Sequence, residues 1–334
     1  MSELPEMVQA LLDPKIYPDA SSRVELMQTQ MSFVFLTDDY VYKLKKPVDL
    51  GYLDYTTLEK RYFYYQREIE LNQRLCPDAY LGVVSITQEK GGFSIGGKGE
   101  VIEYAVKMCH LPQKAMLNVL LAKGQVSTEM ITSIAQKLTE FHQKAETNAT
   151  ISTFGDLDTI ITNTEENFYQ TVKYIGNTIS QKGYRHIKDY TNAFIENNAP
   201  VFRKRVADGK IRDCHGDLHA AHICFTDDIY IYDCIEFNDR FRYCDVASEI
   251  AFLAMDLDNY RRADLSQSFV NAYVRLSGDN ELHQLLDFYK CYRAYAQGKM
   301  ENFKLDSPHI SEEEKEEAGA AAKRYFELAE SYIR

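Results

Sequence analysis

The stretch "DCHGDLHAAHICF", residues 213–225, places His215, Asp217, His219 and His222 within eight positions. Two chemistries compete for it. A zinc site would use His215, His219 and His222 as ligands on one helix face, as in a zinc-dependent hydrolase. Gly216 is a poor helix residue, however, and a β-branched, aromatic run begins at Ile223, so the segment reads as a loop entering a strand. The other chemistry is phosphoryl transfer. It needs one carboxylate near the attacking hydroxyl, a second that holds a metal ion, and a cation on the nucleotide phosphates.

His215-Gly216-Asp217 fits the first requirement, with His215 and Asp217 as the catalytic pair. In a kinase catalytic loop an Asn follows the aspartate at the fifth position; here that position is His222. For the second requirement, "IYIYD" (229–233) reads as a strand in which Ile229, Ile231 and Asp233 share a face by alternation, so that Asp233 can face a site. Asp245 precedes the apolar run "VASEIAFLAM" and reads equally well as a helix cap.

The cation is expected in the first third. In "YVYKLK", Lys43 and Lys45 share a strand face with Val41. Glu68 lies in line with Tyr64, Leu71 and Leu75 on a predicted helix, and a charge in an apolar stripe requires a partner. Glu70 lies among Gln66, Arg67, Gln73 and Arg74, a polar face. Lys43 is the expected partner of Glu68 and Lys45 the alternative; solvated strand lysines are the plainer reading.

Outward from these residues, "FVFLTDDYVYKLK" (33–45) reads as two strands around a Thr37-Asp38-Asp39 turn. A helix spans about 57–75, with Thr56 and Glu59 as a capping box. A strand, Gly-rich turn, strand, turn and long strand follow to about 109. "GFSIGGKG" (92–99) approaches a phosphate-binding P-loop, but its last position is Gly99, without a hydroxyl, and a strand rather than a helix follows; a hairpin turn is expected. Residues 127–145 form an amphipathic helix, helix continues to about 203, strands return over 211–237, and helix resumes from about 246, with a capping box at Ser311 and Glu314. This order is α+β in two lobes, 1–108 and 109–334, with the boundary in "MCHLPQ".

Of 334 residues, 45% are hydrophobic and 26% charged, enough to bury a sizeable core. Net charge is −12, which disfavours nucleic acid. No apolar run reaches the length of a membrane span, and the first twenty residues lack the pattern of a signal peptide. Seven cysteines without a CxxC motif read as reduced thiols, and the expected location is the cytoplasm.

The segments "YVYKLKKP", "REIELNQRL", "VIEYAVKMCHLP", "LTEFHQKA", "HGDLHAAHI", "IYDCIEFNDRFRYCDVASEIAFL" and "FYKCYRAY" occur in the order found in the aminoglycoside phosphotransferase and choline-kinase-like family, which has the protein-kinase fold, and cover about 40–300. The chain resembles in particular uncharacterised bacterial members with an "HGDLHxxHI" loop. The resemblance implies ATP and Mg2+ as cofactors and a small-molecule hydroxyl as acceptor. It implies that Asp217 orients or deprotonates that hydroxyl, that Asp233 binds magnesium, and that the adenine lies along the interlobe segment from Glu103 to Met108. The family's metal-binding Asn falls on His222, a poorer partner for a hard cation than oxygen. A protein-directed kinase, or a nucleotide-binding regulatory module with little transfer activity, remains the alternative.

Overall fold

The computed structural model describes residues 4–89, 91–307 and 310–333. The elements run α1 (Glu6–Ala10), β1 (Glu25–Gln28), β2 (Ser32–Leu36), β3 (Tyr40–Lys45), α2 (Leu58–Asn72), β4 (Tyr80–Glu89), β5 (Gly92–Ile95), β6 (Glu100–Cys109), α3 (Leu117–Ala122), α4 (Thr128–Lys144), α5 (Ala149–Ser152), α6 (Leu157–Thr171), α7 (Gln181–Asn197), α8 (Ala199–Ala207) and β7 (Ile211–Asp213). They continue with β8 (Ile223–Phe225), β9 (Ile229–Ile231), α9 (Asp239–Arg242), β10 (Tyr243–Asp245), α10 (Val246–Asn259), α11 (Ala263–Ser277), α12 (Leu282–Leu305) and α13 (Glu312–Ser331). The fold is α+β, as expected.

The chain forms two compact units, Met1–Val119 with His222–Asp239, and Leu120–Ala221 with Arg240–Arg334. The sequence reading ended the first lobe at residue 108; the first compact unit runs past that point and also takes in the β8–β9 hairpin.

The first unit is an antiparallel sheet in the order β1-β2-β3-β6-β4-β5. Alternation along β3 divides its side chains between two apolar clusters. Tyr42 and Leu44 join Val8, Leu11, Tyr17 and Phe35 on one face. Val41 packs on the other, with Tyr65 of α2, Tyr80, Val106 and Met108. Burying a side chain of this size contributes roughly 1.5–3 kcal/mol. Lys43 and Lys45 therefore point to the face that α2 covers. The decoy P-loop is β5, which pairs with β4, and a turn with Gly96 at φ +69° that leads to β6; because β6 lies on the other side of β4, this turn does not close the hairpin that was expected.

Helix α2 starts one residue later than its sequence suggests. Thr57, not Thr56, is the cap, its hydroxyl accepting from the Lys60 N–H at 3.3 Å, and Thr56 bonds Asp54 instead. With Lys60 at the third helical position, no capping box forms. The buried stripe of α2 is Arg61, Tyr65, Glu68 and Asn72, spaced as one helix face. The expected box at Ser311 and Glu314 is present.

The second unit is built around α10, in which every residue from Val246 to Leu257 is buried. Phe252 and Met255 of α10 meet Phe168 of α6, Cys291 and Tyr295 of α12, and Phe326 of α13. Strands β7 and β10 form a short antiparallel ladder. Asp245 is the N-cap of α10, accepting from the Ala247 N–H at 2.8 Å, and it also takes two bonds from the buried Arg205 guanidinium. Its role is therefore structural.

Candidate functional site

The first unit holds a buried chain of alternating charge. Glu68, fully buried on α2, receives Lys43 Nζ at 2.9 Å on one carboxylate oxygen and Lys45 Nζ at 2.6 Å on the other. Lys43, the expected partner, and Lys45, the alternative, thus share one glutamate. They differ in their second partners. Lys43 also reaches Asp233 Oδ1 at 2.6 Å, and Lys45 reaches Glu236. The Tyr55 hydroxyl donates to Glu236 Oε1 at 2.7 Å, and the Lys45 ammonium lies over the Tyr55 and Tyr65 rings. Burial by itself would lower the Lys43 pKa, but Asp233, Glu68 and Glu236 outweigh it and hold that pKa well above the usual lysine value. Burial would raise the Glu68 carboxyl, yet the two ammonium groups hold it below its ordinary range.

Asp233 is not aimed by strand alternation, because β9 ends at Ile231. The residue instead takes φ +62°, the left-handed region that Asp tolerates better than most side chains. Its N–H donates to the Tyr80 hydroxyl at 3.2 Å, and the next N–H, that of Cys234, donates to Asn72 Oδ1 of α2 at 2.8 Å. Its carboxylate remains 40% exposed, which separates it from the sealed Glu68. The His222 ring brings Nε2 to 3.6 Å from Asp233 Oδ2. The two residues that sequence put forward as metal ligands are therefore neighbours within one unit. Neither Glu236 nor Tyr55 was picked from the sequence; Glu236 was readable as an acid three residues past Asp233 in an otherwise apolar run.

Glu103 and Met108 lie inside β6, not in a connecting segment; the irregular stretch begins after Cys109. Glu103 is buried and bound to Arg61 Nε at 2.8 Å, which ties α2 to the sheet. Met108 is part of the apolar cluster under α2.

The second unit holds the His215–Asp217 loop. Gly216 has φ +89°, so a residue with a Cβ would be strained there. The N–H groups of His215 and Gly216 both donate to Glu249 Oε1, at 2.8 and 2.7 Å, while Glu249 Oε2 meets His142 Nε2 at 2.8 Å. The other nitrogen of His142 meets the Tyr273 hydroxyl at 2.8 Å. Two turns further along α10, Asp256 accepts from the Ala220 N–H at 2.8 Å. One buried helix thus grips both ends of the loop. Burial would raise the Glu249 carboxyl, but the His142 bond and the loop N–H groups hold it low.

His215 is fully buried, and its Nδ1 accepts the Asp217 N–H at 3.3 Å, so His215 positions Asp217 and does not reach the surface. The Asp217 side chain is 33% exposed, and His219 Nε2 lies 3.6 Å from it. The zinc reading needed a helix carrying three imidazoles; the segment is a loop with one 3-10 turn, Ala220–His222. Glu249 was missed in the sequence, although an acid in "VASEIAFLAM" carries the same signal that marked Glu68. Among the described residues no helix is long and apolar enough to cross a membrane, and none of the seven cysteines is in a disulfide.

No family model matches the chain. Uncharacterised proteins of Mycobacterium tuberculosis and Mycobacterium bovis are 32% identical over 311 residues, 93% of this chain, and the chain spans 60% of their length. A choline/ethanolamine kinase family protein from Mesorhizobium loti superposes with a TM-score of 0.53 at 12% identity, covering 98% of this chain and 97% of that one. A structure from Ralstonia eutropha assigned to the aminoglycoside phosphotransferases gives 0.51 at 13% identity, covering 98% of each. The chain has the α+β, protein-kinase-like fold of the aminoglycoside phosphotransferase and choline-kinase-like family.

Proposed function

We propose that this protein is an ATP- and magnesium-dependent phosphotransferase acting on a hydroxyl group of a small molecule in the cytoplasm. The observation that carries the reading is the Lys43–Glu68–Asp233 arrangement. It offers a cation anchored by a buried glutamate beside a half-exposed carboxylate, the pair that phosphoryl transfer requires. The donor set suits magnesium through the Asp233 oxygens, with His222 the less apt neighbour. Bound there, the metal would neutralise charge on the nucleotide phosphates.

The remaining chemistry belongs to the chain's own groups. Lys43 holds a phosphate oxygen, and Glu68 keeps the ammonium in place without releasing it to solvent. Asp217 accepts a hydrogen bond from the acceptor hydroxyl and orients it for in-line attack, taking its proton as the bond to the γ-phosphorus forms and the bond from that phosphorus to the bridging oxygen breaks, releasing ADP. Glu249, His142 and His215 hold the loop so that this orientation is preset, which removes reorganisation from the barrier. The chain spans 60% of the length of the curated relatives it matches, so the activity of the whole protein is itself part of the proposal. His222 beside Asp233 favours a second reading, a nucleotide-binding module with little transfer.

The test is ATP consumption by the purified protein against pooled sugars, hydroxy acids, choline-like alcohols, aminoglycosides and nucleosides. Transfer that vanishes in Asp217→Asn supports the reading; ATP binding with no acceptor in any pool favours the second one.

A further inference from the structure

The second unit contains a polar seam that neither the loop nor the core explains. Asn163, Glu166, Asn167 and Gln170 lie at helical spacing on one face of α6, and Tyr292 and Lys299 lie two turns apart on one face of α12. Arg240 enters between them, donating through Nε to Asn163 Oδ1 at 2.6 Å and pairing with Glu166 through Nη2. Lys299 Nζ donates to Asn167 Oδ1 at 2.7 Å.

The charge count of this seam does not close. Arg240 has its carboxylate, but Lys299 meets an amide oxygen and the Phe303 ring, and among the described residues no carboxylate lies within ion-pair distance of it, the Glu166 that acts on it being paired with Arg240. A largely buried ammonium without a counter-charge is costly. Burial, with Arg240 nearby, lowers its pKa to about 8 although Glu166 pulls the other way. One polar atom nearby is unsatisfied: Gln170 Oε1 is buried and has no donor among the described residues, while the same amide's nitrogen donates to Glu166 Oε1 at 3.3 Å. The Lys299 ammonium of α12, bound to Asn167, and the unsatisfied Gln170 oxygen, one turn further along α6, therefore border the same seam. The seam begins on α12 beside Arg293, whose guanidinium donates to the Gly216 carbonyl, next to Asp217. From Tyr292 to Lys299 the helix rises about 10 Å, the length of a small polar molecule.

We infer that this seam receives the acceptor, and that the acceptor is a polyhydroxylated anion, a sugar acid or sugar phosphate, whose acidic group pairs with Lys299 and one of whose hydroxyls donates to Gln170. The inference rests on the phosphotransferase reading for the word acceptor, but not for binding, so it is tested without ATP. Calorimetric titrations use glucose 6-phosphate and gluconate against glucose, glucosamine and inorganic phosphate, on wild type, Lys299→Met and Lys299→Arg.

Wild type should bind at least one anionic sugar more tightly than glucose, glucosamine or inorganic phosphate. Lys299→Met should weaken that binding about tenfold or more, the worth of one charge-assisted contact, and Lys299→Arg should keep most of it. ATP–magnesium affinity should be the same in all three proteins. Binding of neither anionic sugar, equal anionic-sugar affinity in wild type and Lys299→Met, or inorganic phosphate binding as tightly as glucose 6-phosphate overturns the inference. Transfer to a neutral or cationic alcohol that Lys299→Met leaves intact overturns it too and spares the phosphotransferase reading. Anionic-sugar binding without transfer supports the seam and counts against that reading.

Discussion

Lys43 Nζ stands 2.6 Å from Asp233 Oδ1, so the carboxylate proposed to receive magnesium is held by the lysine proposed to receive phosphate. The two partners of the nucleotide complex neutralise each other before it arrives. Lys43→Ala should then weaken ATP binding by roughly 10- to 100-fold, the loss of a hydrogen bond to a charged group. Asp233→Asn should abolish the magnesium dependence of nucleotide binding. Calorimetry with and without magnesium checks both, and unchanged affinity in Lys43→Ala removes that residue from the site.

Lys45, the alternative partner of Glu68 in the sequence, lies between Glu68 and Glu236. Lys45→Met leaves two buried carboxylates without their shared cation and should destabilise the fold by roughly 3–5 kcal/mol. Adding Glu236→Gln should recover part of the loss. Urea unfolding of the single and double variants gives the coupling directly.

The Glu249 carboxyl is held low, so its contribution to stability has a definite pH window. That contribution is complete above the ordinary Glu value of about 4.3 and is lost as pH falls through the depressed folded value. Glu249→Gln should be less stable than wild type at neutral pH, and the gap should shrink steadily below about pH 4.3. Parallel acid-unfolding curves would show that the loop's anchor is not a charge.

At Lys299 it is the charged form that folding disfavours, and stability again climbs with pH. Its folded pKa of about 8 lies below that of an ordinary lysine, so the unfolded chain binds more protons as pH rises from about 8. Wild-type stability should climb relative to Lys299→Met between about pH 8 and the ordinary lysine value of about 10.4. The charged and titratable groups of this seam are Glu166, Arg240 and Tyr292. A stability difference that stays flat over this range would mean the ammonium is solvated.

The resemblance implies that His222 stands where the family has a metal-binding Asn, and it lies 3.6 Å from Asp233. His222→Asn should bind magnesium in the ATP complex at least as tightly as wild type, because it supplies an oxygen. Weaker binding in the variant would assign the imbalance to a role for the imidazole itself.

Much of this arrangement was legible in advance. The β3 alternation put Lys43 and Lys45 on one face, and an acid in an apolar stripe singled out Glu68, because both are local patterns with a fixed period. The left-handed turn at Asp233 was not legible, since nothing local distinguishes it from a continued strand. Glu236 and Glu249 were missed for a related reason. A buried carboxylate is recognised by what it must pair with, and their partners lie 191 and 107 residues away in Lys45 and His142. The sequence read the long strand to about 109, as β6 runs, so the segment from Glu103 to Met108 that the resemblance implied for adenine lies within that strand, where Glu103 is committed to Arg61.

The first unit is discontinuous, residues up to 119 joined by 222–239. On the ribosome, its sheet and α2 emerge with both lysines and Glu68 in place, but Asp233 and Glu236 follow only after some hundred intervening residues have been made. Until then two ammonium groups share one carboxylate, and the nascent sheet carries an excess positive charge at its own heart. An N-terminal fragment ending near residue 119 should accordingly fail to fold alone, because the hairpin segment that completes the first unit also brings the carboxylates that balance its lysines.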